Sequence, residues 1–320
     1  MAQYLLALDF GGTKHTAAVV CCGEREWRAH RCIFSPPGAD AAYDVKTMRT
    51  LARELLVGEQ PAAIGVSFGG PVDATADTVR LSYHVPGWEN VPLRQMLEAE
   101  FGAPASVDND ANAAALGEHR FGAGRGIDSL LYITVSTGVG GGWILDNRLW
   151  RGAGGLAGEI GHTVVDPDGP VCSCGRRGCV ERLAAGPAIA QRAREWLEAQ
   201  PERGQILRTL AGQNLEAVTA ELVSQAAAQG DELAWDALEI AAWALGVGIG
   251  NAANLVNPQR FVLGGGVTKA GARFWEVLRR VTRQTALPGI DLDVVPAALG
   301  DDAPLWGAVA LAEECLMRSS

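Results

Sequence analysis

Tyr4-Leu5-Leu6-Ala7-Leu8-Asp9-Phe10-Gly11-Gly12-Thr13-Lys14 is an apolar run of strand length that halts on a glycine pair, and Thr16 to Cys22 resumes the apolar character at once. The pattern is strand, glycine turn, strand. It returns about 125 residues further on: Leu130 to Ser136 is apolar, Thr137-Gly138-Val139-Gly140-Gly141-Gly142 interrupts it, and Trp143-Ile144-Leu145 resumes it. After each unit come helical stretches and a further strand closed by glycines. These strands are 62–68 before Gly69-Gly70-Pro71 and Arg260 to Leu263 before Gly264-Gly265-Gly266. Met48, Leu51, Leu55 and Leu56 within 45–57 have roughly helical spacing, and 187–250 reads mostly as helix, broken at Pro201, Gly204 and Gly212. Alternating strands and helices with long-period self-similarity predict an α/β protein of two lobes on one plan, able to face each other across a cleft. The expected small domain covers 1–118 and is completed by a C-terminal helix within 303–320; the larger domain covers 119–302.

Composition agrees. A chain of 320 residues with 48% hydrophobic and 20% charged residues is long and apolar enough for a sizeable core. With 27 basic against 37 acidic residues the net charge is −10, and no basic footprint for nucleic acid is visible. Met1-Ala2-Gln3 leads straight into an expected strand, a pattern that does not resemble a signal peptide. Ile240 to Gln259 carries no charge, but it contains Asn251, Asn254 and Asn257 and ends at Pro258, which fits a buried helix better than a membrane span. The expected location is the cytoplasm, away from membranes. Of seven cysteines, Cys21, Cys22, Cys32 and Cys315 are expected as small core hydrophobes.

Cys172, Cys174 and Cys179 stand apart from these in a turn-rich loop. Three clustered thiolates need a fourth ligand for tetrahedral zinc, and His162, ten residues upstream, is the candidate; the alternative is three buried free thiols. The glycine turns expose backbone N–H groups that can cradle phosphate, and Gly11-Gly12-Thr13-Lys14 adds a hydroxyl and a cation. Each turn alone is equally a plain hairpin; Asp9 is placed to hold Mg²⁺ through water. No P-loop pattern is present, and Gly248-Ile249-Gly250 follows helix rather than strand, so its glycines are read as close helix packing. Asp108-Asn109-Asp110-Ala111-Asn112 offers an aspartate for general-base work on a hydroxyl, or a helix cap, or both. Glu159 and Glu181 flank the cysteine loop, where carboxylates can bind vicinal hydroxyls of the kind a sugar presents.

Together Leu8-Asp9-Phe10-Gly11-Gly12-Thr13-Lys14, Asp108-Asn109-Asp110-Ala111-Asn112-Ala113-Ala114, Thr137 to Gly142, Gly158-Glu159-Ile160-Gly161-His162 and the Cys172 to Glu181 loop resemble the ROK family (repressor, open reading frame, kinase). Within that family the chain is most like the bacterial ATP-dependent glucokinases, over nearly its whole length. The resemblance implies a two-domain actin-like ATPase fold of ribonuclease-H type, each domain a mixed sheet with flanking helices. It implies ATP-dependent phosphorylation of a hexose 6-hydroxyl, most often glucose, with an N-acetylhexosamine kinase or a non-catalytic sugar-sensing regulator as alternatives. By the same resemblance Asp110 is the catalytic base. Asn109, Asp110, Glu159, His162, Glu181 and Gly70 are sugar contacts, and His162, Cys172, Cys174 and Cys179 ligate a structural zinc. Asp9, Gly11, Gly12, Thr13 and Lys14, with Thr137 and Gly138, surround the ATP phosphates and Mg²⁺, and Gly265 and Gly266 lie near the adenosine. A homo-oligomer, dimer or tetramer, is implied. His84 departs from the asparagine common before the Pro-Gly-Trp segment, and His15 from an apolar residue. With the first strand expected at residue 4, no helix-turn-helix of the repressor branch is expected ahead of it.

Overall fold

The computed structural model describes residues 3–73, 78–82 and 85–319, so His84 lies outside the described residues. The chain forms two compact units: Met1–Tyr132, Gly142–Ala157 and Ala297–Ser320 make the first, and Ile133–Gly141 with Gly158–Pro296 make the second. In chain order the elements begin β1 (Tyr4–Phe10), β2 (Lys14–Cys21), β3 (Ala29–Phe34), α1 (Ala41–Leu56), β4 (Ala63–Phe68), β5 (Val72–Asp73) and β6 (Thr78–Val79). Next come α2 (Leu93–Phe101), β7 (Ala105–Asn109), α3 (Asp110–Phe121), β8 (Leu130–Val135), β9 (Val139–Leu145) and β10 (Arg148–Trp150). Then follow α4 (Val180–Ala184), α5 (Gly186–Ala199), α6 (Gln205–Leu210), α7 (Ala220–Ala228) and α8 (Glu232–Val256). The chain finishes with β11 (Arg260–Gly264), α9 (Ala272–Thr285), β12 (Val294–Pro296) and α10 (Ala303–Ser319).

The first sheet has the order β3-β2-β1-β4-β7, with β1 antiparallel to β2 and parallel to β4, and β4 parallel to β7. Strand side chains alternate between faces. Leu6, Leu8 and Phe10 therefore enter the core shared with α1 and α2, whereas Leu5 and Ala7 enter a second core with Leu305, Ala308 and Val309 of α10. Small residues bring α10 close: a Cβ on Gly307 would fall 1.8 Å from the Ala113 carbonyl oxygen of α3.

The second sheet has the order β10-β9-β8-β11-β12. Its glycine-rich segment behaves differently from the sequence expectation. The turn is confined to 136–138, and Gly140, Gly141 and Gly142 lie inside β9. A Cβ at Gly142 would stand 2.7 Å from both the Ala111 carbonyl oxygen and the Ala115 Cβ, so close passage of α3 accounts for the missing side chain there.

α8 is long and apolar enough to cross a membrane by length and composition, yet most of it is buried in the second unit against α9, α4, α5 and α7. Gly248 and Gly250 serve helix packing as expected, and Gly246 does the same against α9; a Cβ on Gly250 would meet Thr285 at 2.5 Å. Among the described residues, only Cys315 of the four scattered cysteines packs against a core, the one beneath α10. Cys22 and Cys32 are exposed, and Cys21 and Cys315 are half-buried.

Candidate active site

In the first unit three parallel strands end side by side, and their loops carry the predicted residues. Register places Asp9, Ser67 and Asp108 in one row and Phe10, Phe68 and Asn109 in the next. Alternation puts the first row on the face shared with Leu5 and Ala7. Within that row Ser67 Oγ donates to Asp9 Oδ1 at 2.7 Å. Beyond β1 the Gly11-to-Lys14 turn closes on itself, with Gly11 N donating to Lys14 O at 3.1 Å. Gly12 and Thr13 are exposed at its tip. Beyond β4, Gly69 N donates to Phe10 O at 2.9 Å, which seats Gly70 beside Asn109; Asn109 Nδ2 donates to Gly70 O at 3.1 Å.

Asn109 caps α3 by accepting from Ala111 N and Asn112 N, so Asp110 is the first residue of the helix. The cap reading holds for Asn109, and its neighbour Asp110 keeps a carboxyl at the helix start. Burial, reinforced by the charge of Asp9, pushes the Asp110 carboxyl up to about 6. Asp9 is also raised by burial, against opposing contributions from Ser67 and Lys14. Two carboxyls that resist ionisation beside each other suit a divalent cation at Asp9 and a proton acceptor at Asp110.

Sequence reasoning missed the support beneath them. Asp108 is buried; its Oδ2 accepts from Arg151 Nε at 2.6 Å, and its Oδ1 accepts from Asn112 Nδ2 and from Asn109 N, each at 2.8 Å. The arginine lies 43 residues away with no local signal. His15, one residue past the phosphate turn, is fully buried; its Nε2 lies 2.7 Å from Asp44 Oδ1, while Trp88 Nε1 donates to Asp44 Oδ2 at 3.1 Å.

In the second unit, one nitrogen of His162 and the sulfurs of Cys172, Cys174 and Cys179 all lie within 4.8 Å of one another. Tetrahedral zinc with Zn–S near 2.3 Å sets its ligand atoms about 3.8 Å apart. Cys174 Sγ to Cys179 Sγ is 3.6 Å and Cys172 Sγ to His162 Nδ1 is 3.8 Å, so the donor set fits that ion in kind and spacing. Burial pushes the Cys179 thiol up to about 12, whereas the Arg176 backbone N–H draws the Cys174 thiol below its ordinary value. Glu159 is exposed at the start of a one-turn helix spanning Ile160–His162. Glu181, in the first turn of α4, accepts from Val139 N at 3.0 Å through Oε2. That contact places Glu181 against the turn holding Thr137 and Gly138. Gly265 and Gly266 follow β11; Gly265 has φ 90°, and a Cβ there would meet the Val135 carbonyl oxygen at 2.3 Å.

These strand-end loops and the Cys/His loop define a class. The model described as "ROK family" matches residues 5–315, and the chain belongs to that family, whose kinases have the actin-like ATPase fold. Among individual proteins, it is similar to a glucokinase of Streptomyces coelicolor, 36% identical over 313 residues that cover 97% of each chain. It is also similar to the crystal structure of a ROK family glucokinase from Streptomyces griseus in complex with glucose and AMPPNP. There the TM-score is 0.83 at 36% identity, covering 97% of this chain and 99% of that one. A xylose repressor of Caldicellulosiruptor bescii is 34% identical over 250 residues, 78% of this chain and 61% of the repressor.

Proposed function

We propose that this chain is a cytoplasmic ATP-dependent hexose kinase that converts glucose to glucose 6-phosphate. The observation that carries the reading is Asp110: a carboxyl at a helix start, raised to about 6 beside Asp9, on a chain related at 36% identity to glucokinases. A base poised just below neutral pH is ionised where the enzyme works, yet basic enough to take a hydroxyl proton.

Asp110 accepts the proton of the sugar 6-hydroxyl as that oxygen forms its bond to the γ-phosphorus. The bond from the γ-phosphorus to the β–γ bridging oxygen breaks, and ADP leaves. Asn109, Glu159, His162, Glu181 and Gly70 hold the remaining hydroxyls. Gly11, Gly12, Thr13 and Lys14, with Thr137 and Gly138, offer N–H groups, a hydroxyl and an ammonium to the phosphates. Gly265 and Gly266 adjoin the adenosine. Asp9 would hold Mg²⁺, which offsets charge on the transferring group. His162, Cys172, Cys174 and Cys179 would hold a structural zinc, which would keep the imidazole oriented for a sugar hydroxyl. The working unit is taken to be a homo-oligomer, dimer or tetramer, which light scattering of the pure protein tests.

Coupled ADP release across glucose, mannose, fructose, N-acetylglucosamine and N-acetylmannosamine tests the reading. Glucose is expected to give the highest kcat/KM. Faster turnover of an N-acetylhexosamine would reassign the substrate, and sugar binding without ADP release would make the chain a sensor, a reading that the relationship to a xylose repressor keeps in view.

A further inference from the structure

We propose that Glu181 is a positioning residue that locks the turn at 136–139 to the sugar-side segment 159–186, so that one carboxylate serves both substrates; this rests on the kinase reading above. Three contacts fasten that turn, and all come from the same stretch of chain within the second unit. Glu181 Oε2 accepts from Val139 N at 3.0 Å. Gly161, in the Glu159-to-His162 turn, lies so near that an added Cβ would fall 2.0 Å from the Val139 carbonyl oxygen. Gly186 N donates to Ser136 O at 2.8 Å. Both flanks of the turn are therefore seated on residues next to those assigned to the sugar.

Of these contacts only the first depends on a side chain. The carboxylate occupies the space in front of Gly138, where an added Cβ would stand 2.8 Å from Oε2. A bond from a backbone N–H to an ionised carboxylate is among the stronger hydrogen bonds, and it fixes the direction of the adjoining peptide. Glu181 is half-buried, and among the described residues no hydrogen bond to Oε1 competes for it. Oε2 thus orients the turn while Oε1 remains for a sugar hydroxyl. Ordering this side chain by one ligand prepays its ordering for the other, and that coupling is reciprocal.

The test is calorimetric binding of MgADP, with and without glucose, to the full chain and to Glu181→Ala, Glu181→Gln and Glu181→Asp. The wild type is expected to bind MgADP more tightly when glucose is present. Without sugar, Glu181→Ala is expected to weaken MgADP binding about tenfold, in line with loss of a charge-assisted hydrogen bond. Glu181→Gln, whose amide oxygen still accepts from Val139 N but without the charge, should weaken it by only about threefold, clearly less than the alanine variant. Glu181→Asp keeps the charge but loses the reach, so it should weaken MgADP binding as the alanine variant does. It carries the test alone should Glu181→Ala fail to fold by circular dichroism. Wild-type affinity in Glu181→Asp, or equal loss in Glu181→Gln and Glu181→Ala, would overturn the inference. Failure of the wild type to bind MgADP at all would instead sink the kinase reading.

Discussion

The two glycine turns follow one plan but are held in different ways. The Gly11-to-Lys14 turn is closed by its own backbone and by Ser35 N, just past β3, donating to Thr13 O. It also carries its own cation. The turn at 136–139 has no charged residue and takes its shape from Glu181, Gly161 and Gly186, all contributed by a separate stretch of chain. The first unit thus builds its functional loops on adjacent strand ends, a sheet-based arrangement. The second also uses strand ends, after β8 and β11, but fastens the first of them with a Cys/His-containing stretch that brings little secondary structure of its own. A hydrogen-bonded sheet edge tolerates local change, whereas a loop organised by a few side chains does not.

That contrast can be broken in graded ways. The largest effect is expected from Asp110→Asn: kcat falls by about 1,000-fold, the range for loss of a general base, while the first unit stays folded. The same substitution should raise stability at pH 8 by about 1 kcal/mol. The native carboxyl is raised to about 6, above its unfolded value, so its charge opposes folding above pH 6 and that penalty fades as the pH falls toward 4. Thermal melts of both proteins at pH 8 and pH 4.5 check the sign. A variant less stable than wild type at pH 8 would show that Asp110 is structural.

Next in size is the metal loop. The pure protein should hold about one zinc per chain by elemental analysis, and chelation should lower Tm by roughly 10 °C or more, because a structural ion contributes folding free energy outright. Should a metal-free preparation melt at the same temperature, the Cys/His loop would be as self-sufficient as the sheet edge. Arg151→Ala follows, at about 2 kcal/mol in denaturant melts, since it removes one partner of the buried Asp108 carboxylate. The smallest effect is the acid limb of kcat/KM. Activity should decline as the pH falls through about 6, with a slope of one, as Asp110 takes up a proton. A cation bound at Asp9 moves that midpoint lower, never higher.

Much of this architecture was readable from local pattern. β1, the turn after it, β4 and the helices between 187 and 250 announce themselves by apolar runs and glycine stops, and the four cluster-forming residues by their spacing. What escaped depends on long-range contact. β3 is a mostly exposed edge strand, Ala29–Phe34, whose polar residues hide it. Gly140 to Gly142 looked like a turn because the reason for Gly142, the passage of α3, lies about 30 residues earlier in the chain. The Asp108–Arg151 and Glu181–Val139 bonds join positions 43 and 42 residues apart. His15 reads as an anomaly until Asp44 and Trp88 are seen to surround it.

One last consequence follows from where α10 sits. Leu305, Ala308 and Val309 cover the face of the first sheet that holds Leu5 and Ala7, and a Cβ on Gly65 of β4 would collide with the Ala308 carbonyl oxygen at 1.7 Å. During synthesis β1 thus precedes its cover by almost three hundred residues. Without α10 that sheet face is left open, so a chain cut ahead of residue 303 is expected to aggregate rather than give a smaller working protein, which expression of such a truncation and its soluble yield check.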